Sequence, residues 1–455
     1  MKPTFFIGVA ALTTLPLSEL SAEQSRPNIL LILSDDHSFP HVGAYGDENC
    51  KRFNLTPNMD ALAKEGVLFN RAYTSASTSA PSRSSMFTGQ SPLKVKALRF
   101  GQAVQPETNF FTDLLRESGY WVGLSGRGHH LSSISRTKNL AEIAVEAGMA
   151  GREFNSRFDL ANSFPTNGKN YLKVEKHIGD ILDSTPKEKP FFLYYGITQP
   201  HVPNPETYPD VDIRQMQMPD DMPKSAEYRV LYARYLQAVK ECDNVLGQIL
   251  DALKQRGLYE DTVIIFMGDN GEWLNSSAAP LVVRSKGTLY DRGTHVPLIV
   301  RYPEKSKRGL VSDALVSGVD ICSFVLDVAS VEQTPQMEGI SFLPALSNKK
   351  YDQREYAFCA KGYHPSDAPN YSRSVNDGRF LMKYNMQYKP HRPTFELFDL
   401  QKDPFQYDNL FDNPAYKSTQ EELLTQLDYW MVKCGDFMPP PCEAMAINAI
   451  SSELK

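Results

Sequence analysis

Three stretches of the chain are apolar almost without interruption. Asn28 to Ser34 reads Asn-Ile-Leu-Leu-Ile-Leu-Ser, Pro190 to Gly196 reads Pro-Phe-Phe-Leu-Tyr-Tyr-Gly, and Thr262 to Gly268 reads Thr-Val-Ile-Ile-Phe-Met-Gly. Runs of this length suit strands buried on both faces, as in the interior of a parallel sheet. Each run ends in polar residues: Asp35-Asp36, Gln199 to His201, and Asp269-Asn270. Open α/β sheets place ligands beyond the carboxyl ends of their strands. Three buried strands delivering polar groups to one end predict a site there.

Between these runs the period becomes helical. Thr56-Pro57 reads as an N-cap and first turn, Met59, Leu62 and Ala63 form an apolar stripe, and Gly66 stops the helix. Tyr228 to Arg256 is a long amphipathic segment closed by Gly257. Strands alternating with helices argue for an α/β domain with a largely parallel or mixed sheet. After about Ser347 the pattern changes. Asn376-Asp377-Gly378 is a hairpin turn between strand-like runs, and Phe395 to Leu400 is a further short strand. Ser418 with Glu421 reads as a capping box, followed by a helical face of Leu423, Leu424, Leu427, Trp430 and Met431. This part predicts a smaller antiparallel sheet carrying a C-terminal helix.

Composition narrows the class of molecule. Of 455 residues, 41% are hydrophobic and 22% charged, which excludes a disordered or fibrous chain. The net charge of -6 gives no footprint for nucleic acid, so an anionic substrate must be held by a few local cations. Six cysteines without a CxxC pair make no disulfide framework; Cys434 and Cys442 alone lie close enough for a short loop bridge, formed or not. Lys2, the apolar stretch Phe5 to Leu17 and the small pair Ser21-Ala22 have the order of an export signal over residues 1–22. No other segment approaches a bilayer span. The expectation is a periplasmic or secreted protein with a catalytic α/β domain over 23–350 and an α+β subdomain over 351–455.

The chemistry concentrates in Ser79-Ala80-Pro81-Ser82-Arg83-Ser84-Ser85-Met86-Phe87-Thr88-Gly89. Pro81 can start a tight turn, with Ser79 exposed before it and Arg83 one turn later. A hydroxyl beside a guanidinium suits attack on an anionic ester, although the same residues also read as a polar loop entering a helix. Asp35, Asp36, Asp269 and Asn270 offer only oxygen donors, which suit Ca²⁺ or Mg²⁺ over Zn²⁺. An Asp-Asp pair after a strand equally serves as a cap or turn.

The Ser79 segment resembles the signature of the type I sulfatases, in which a Cys or Ser followed by x-Pro-Ser-Arg and a later Thr-Gly is oxidised to formylglycine. The resemblance runs from Arg26-Pro27-Asn28 to Glu396-Leu397-Phe398-Asp399-Leu400…Asp403-Pro404. It implies an alkaline-phosphatase-like fold and a serine-type bacterial member matured by a dedicated radical enzyme. It further implies that Asp35, Asp36, Asp269 and Asn270 bind one calcium ion, Mg²⁺ fitting less well. Lys286, four residues before Tyr290, would bind sulfate, and His201 would protonate the leaving oxygen. In Gly126-Arg127-Gly128-His129, His129 would expel sulfate from the covalent intermediate, and Arg127 stands where the family has lysine. Arg292 replaces a common glycine, which bears on loop shape or substrate contact. His37, His41 and His130 match no family role, and one or more are expected to line the substrate pocket.

The implied reaction is hydrolysis of sulfate esters on a sulfated polysaccharide or oligosaccharide. The Tyr429-Trp430…Cys434…Cys442 tail resembles the sulfamidase branch, which makes N-sulfated glucosamine an alternative. A same-fold phosphomonoesterase would need a second His/Asp cluster for a two-metal clamp, which the sequence does not display. A glycan-binding protein with unmodified Ser79 is the remaining rival, and the intact Asp, Arg, His and Lys set argues against it.

Overall fold

The strands are β1 (Asn28–Asp35), β2 (Val67–Tyr73), β3 (Trp121–Ser125), β4 (Leu160–Asn162), β5 (Phe191–Pro200), β6 (Thr262–Gly268), β7 (Leu298–Arg301) and β8 (Leu310–Ser317), followed by β9 (Ala357–Lys361), β10 (Ser372–Asn376), β11 (Phe380–Asn385) and β12 (Phe395–Asp399). The computed structural model describes residues 26–99, 102, 104–131, 143, 145–148, 154–274, 284–362, 371–386 and 393–445, without the side chain of His129. The leader expected over 1–22 lies outside the described residues.

The first eight strands form one sheet in the order β4-β3-β5-β1-β6-β7-β2-β8. The three apolar runs are its centre: β1 is parallel to β5 on one side and to β6 on the other, with Ile29 opposite Phe192 and Val263. Their side chains divide strictly between two cores. Leu31 and Leu33 face Met86 and Phe87 of the helix Ser79–Thr88, while Leu30 and Ile32 join Met59, Leu62, Val245 and Ile249 from two helices on the other face. This two-sided burial is why the runs show no polar alternation, and each such side chain contributes about 1.5–3 kcal/mol. β7 is antiparallel to both β6 and β2, so β2 again points the same way as β6 and the sheet is mixed.

The four later strands form an antiparallel sheet in the order β12-β11-β10-β9, with the β10–β11 turn made by Asp377 and Gly378 at φ +88°. The helix Lys417–Lys433 lays Leu423, Leu427 and Met431 on it, with Leu424 and Trp430 half-buried at the margin. Its start differs from the expected capping box. Asn413 accepts from the Ala415 amide and caps a 3₁₀ turn at Pro414–Tyr416, which runs straight into the helix, so Ser418 falls inside the first turn. Thr56 does occupy the N-cap position of Pro57–Glu65, but its hydroxyl accepts from the Gly43 amide and donates to Asp60 instead of capping. Cys434 and Cys442 are both free thiols, the first buried at the helix end and the second exposed beside Asp428, so the loop bridge is absent. Among the described residues no helix is long and apolar enough to cross a membrane.

Candidate active site

The parallel strands deliver their polar ends to one edge. Asp35 closes β1 and Asp36 follows it in a left-handed conformation (φ +64°), while Asp269 and Asn270 follow β6 and His201 follows β5. After β3, Gly126 adopts φ +72° where a Cβ would stand 2.5 Å from the Gly196 carbonyl oxygen. This close approach leads into Arg127 and the short turn Gly128–His130.

Ser79 is not exposed before a tight turn. It is the first residue of the helix Ser79–Thr88 and is fully buried, with Pro81 in the first turn, where its missing N–H costs nothing. The helix ends at Gly89 in the left-handed region, whose amide bonds the Ser85 carbonyl. The Ser79 hydroxyl lies 3.0 Å from Asp35 Oδ1 and 3.0 Å from Asn270 Oδ1. Asn270 Nδ2 donates to Asp36 Oδ1 at 2.8 Å, and the Asp36 amide donates to Asp269 Oδ1 at 2.9 Å. The four predicted oxygen donors and the predicted nucleophile therefore share one hydrogen-bonded cluster.

Cations surround that cluster. Arg83 pairs with Asp269, donates to the Tyr194 hydroxyl at 3.1 Å, and lies 3.7 Å from Asp35. Arg127 grips Asp35 Oδ2 through two nitrogens, and Lys286 Nζ donates to Asp36 Oδ1 at 2.5 Å. Burial alone would raise the Asp35 pKa, but Arg127 and Arg83 outweigh it and hold the carboxyl well below the usual range. Asp269 goes the other way: burial, with Asp35 and Asp36 adding to it, exceeds the pull of Arg83 and lifts its pKa to about 6.

His201 Nδ1 meets the Val202 carbonyl at 2.5 Å, which fixes the proton there and turns Nε2 toward Asp36 Oδ2 at 3.8 Å. The side chain of His129 is outside the described residues. Of the three unmatched histidines, only His130 borders the cluster, with Nε2 4.0 Å from Asp35.

His37 and His41 do not line a pocket. Both are buried, and His41 sits between Asp47 at 3.2 Å and Glu272 at 3.5 Å. Glu272 also receives Arg292, whose other partner is Asp221. Arg292 is thus held by two carboxylates, Glu272 and Asp221, while its side chain also lines a pocket with Phe39, Arg284 and Tyr290. Tyr194 and Glu272 were missed in the sequence, although a phenol inside a fully buried strand is itself a signal for a polar partner.

The His41 network has a pH signature. Burial would strip its proton, but Asp47 and Glu272 outweigh burial and raise the pKa to about 9. A pKa raised in the folded state contributes stability fully below the unfolded value near 6.5 and loses it as pH rises through 9. The melting temperature is expected to fall from pH 6.5 to 9, and His41→Asn to flatten that slope. Equal slopes in thermal melts at constant ionic strength would exclude this account.

The donor set fits a hard divalent cation. Asp36 Oδ2 is buried without a hydrogen-bond partner, and Asp35, Asp36 and His201 bring ligand atoms within 4.8 Å of one another. Carboxylates and an amide oxygen select calcium or magnesium chemistry over thiolate metals.

The family model described as Sulfatase matches residues 27–331, and one described as N-sulphoglucosamine sulphohydrolase, C-terminal, matches residues 284–433. An ulvan-active sulfatase of Formosa agariphila is 27% identical over 457 residues, covering 93% of this chain and 83% of that protein. The Homo sapiens N-sulphoglucosamine sulphohydrolase is 26% identical over 91% of each chain. The solved structure of a protein in complex with its substrate D-glucosamine-2-N,6-O-disulfate shares the fold, with a TM-score of 0.70 over 92% of this chain and 100% of that one at 20% identity.

Proposed function

The chain belongs to the sulfatase family, and from that premise we propose that it removes sulfate esters from a sulfated polysaccharide or its oligosaccharides, using Ser79 oxidised to formylglycine. The observation that carries this reading is the Ser79 oxygen set against Asp35 and Asn270, with Arg83 one turn along the same helix and Lys286 on Asp36. Relatives that act on ulvan and on N-sulphoglucosamine support a sulfated glycan as the substrate class.

In the proposed site Asp35, Asp36, Asp269 and Asn270 would hold a calcium ion, with Mg²⁺ the lesser fit. Such an ion would supply Lewis acidity to the sulfuryl transfer. The hydrated aldehyde supplies one hydroxyl for attack and a second for release of sulfate. Arg83, Arg127 and Lys286 offset charge on the sulfuryl oxygens, and a preorganised donor of this kind is worth about 3 kcal/mol. Lys286 and Arg127 now lie on the carboxylates and would turn to the sulfate when it enters. His201, with protons on both ring nitrogens, would give the Nε2 proton to the departing oxygen, and His129 would take the proton that accompanies sulfate release.

A second reading, sulfamidase action on N-sulfated glucosamine, is favoured by the match of residues 284–433 to the C-terminal model of that enzyme. Both readings place an export signal over 1–22, a catalytic domain over 23–350, a C-terminal subdomain over 351–455, and a periplasmic or secreted location. Both also require a radical maturation enzyme as partner.

The test is peptide mass spectrometry of the Ala72 to Arg83 fragment, from protein made with a serine-type maturation system. Loss of two hydrogens at Ser79 is expected. No conversion, with the maturation system active on a control substrate, would remove the formylglycine mechanism and leave phosphate-ester hydrolysis or glycan binding to be tried.

A further inference from the structure

The stretch Glu396-Leu397-Phe398-Asp399-Leu400…Asp403-Pro404 stands out in the sequence, yet it belongs to the small sheet and includes none of the groups assigned above. Its side chains and the turn behind it reach the segment that carries Lys286. Glu396 on β12 is buried; its Oε1 accepts from the Tyr290 hydroxyl at 2.6 Å, and its Oε2 accepts from Lys383 Nζ at 2.8 Å and Asn385 Nδ2 at 2.6 Å. Lys383 Nζ also lies 3.1 Å from the centre of the Tyr290 ring. The phenol is thereby held at its hydroxyl and on its face.

The turn after Pro404 grips the same segment at two more points. Arg284 donates to the carbonyls of Phe405 and Gln406, and the Asp291 amide donates to Gln406 Oε1 at 3.1 Å. Lys286 lies between these holds. From the catalytic domain its own amide bonds the Glu272 carbonyl and the Gly287 amide bonds the Ser77 carbonyl, so the segment is spanned from both sides. Burial would raise the Glu396 pKa, but Lys383 and the bonds from Lys383, Tyr290 and Asn385 hold it at about 2. The acceptor facing Tyr290 is an anion throughout the neutral range.

A lysine side chain carries about 2 kcal/mol of rotamer freedom, so its ammonium meets a ligand well only if the backbone beneath it is fixed. We propose that Glu396, acting through the Tyr290 hydroxyl, is a positioning residue for Lys286, so that the C-terminal sheet sets how tightly the active site holds sulfate. The inference rests on the sulfate-binding role of Lys286 proposed above.

The test compares inhibition by inorganic sulfate, KM and kcat in the matured, calcium-supplemented full chain. Tyr290→Phe keeps the ring over Lys383 and removes only the hydroxyl. It is expected to raise the sulfate inhibition constant and KM about tenfold, the value of one charge-assisted hydrogen bond, with a smaller change in kcat. Glu396→Gln is expected to act in the same direction, and Tyr290→Phe serves alone if that variant does not fold. Adding Tyr290→Phe to Lys286→Ala is expected to cost nothing further in sulfate affinity.

If Lys286→Ala weakens sulfate while Tyr290→Phe changes neither KM nor inhibition, the positioning role is overturned and the Lys286 role stands. If Lys286→Ala leaves sulfate affinity intact, both are overturned. Equal losses from Tyr290→Phe with and without Lys286 would show a general loosening and also overturn the inference.

Discussion

Replacing Ser79 with alanine is expected to yield a folded protein whose sulfate-ester turnover is lower by at least about four orders of magnitude, the loss typical when a covalent nucleophile is removed. The helix Ser79–Thr88 has its cap and its glycine stop outside that side chain, so its backbone is preserved. The deletion leaves Asp35 Oδ1 and Asn270 Oδ1 without the hydroxyl they share, a loss of about 1–3 kcal/mol for buried acceptors. In the proposed site a calcium ion would satisfy the same oxygens. Calorimetry should therefore still detect calcium binding to the variant, and saturating calcium should bring its melting temperature close to that of the parent. Residual turnover within tenfold of the parent would mean that the nucleophile lies elsewhere.

Arg83→Met is expected to be the most destabilising single change in the site. The guanidinium is fully buried, paired with Asp269, bonded to Tyr194 and near Asp35, and removing one member of a buried pair costs about 3–5 kcal/mol. Methionine fills the volume but leaves a carboxylate without its counter-charge. The denaturant midpoint should fall accordingly, with sulfate turnover lost as well. Arg83→Lys should recover part of the stability and little of the activity, because an ammonium cannot reproduce the fork that serves Asp269 and Tyr194 together. A stability change below about 0.5 kcal/mol would show that the pair contributes nothing net, as for an exposed ion pair.

The parts of this molecule that could be read from sequence are those where one local pattern has one physical cause. A run such as Ile29 to Leu33 has no polar member because both faces of β1 are covered, and Asp35-Asp36 follows because the strand ends at an open edge. The Asn376-Asp377-Gly378 turn was legible for the same reason: only glycine sits easily at φ +88°.

What could not be read is whatever depends on a distant partner. The helix Ser79–Thr88 looks like a polar loop until its hydroxyls are placed: Ser82 donates to the Asp269 carbonyl, Ser85 to Pro81 and Thr88 to Ser84. With those bonds made, the hydroxyls of this wholly buried serine-rich segment are satisfied except that of Ser84, and the expected exposure of Ser79 fails. His41 likewise looks like a pocket histidine because nothing local announces Glu272 as its neighbour. The N-terminus of the last helix was misplaced because the preceding 3₁₀ turn, closed by Asn413, supplies the start that Ser418 was expected to give.

If Ser79 is oxidised as proposed, the burial of all ten residues from Ser79 to Thr88 would also order events in the life of the chain. An enzyme that oxidises Ser79 must draw that residue and its flanks into its own active centre, and here they are committed to a helix at the heart of the domain. On the proposed maturation, conversion would therefore belong to the newly made chain, before it compacts. A molecule that folds first keeps its serine for as long as it stays folded. The active fraction of a preparation would then be the outcome of a race between oxidation and collapse. Slower folding or more maturation enzyme during synthesis is then expected to raise that fraction, and adding the enzyme to finished protein is not.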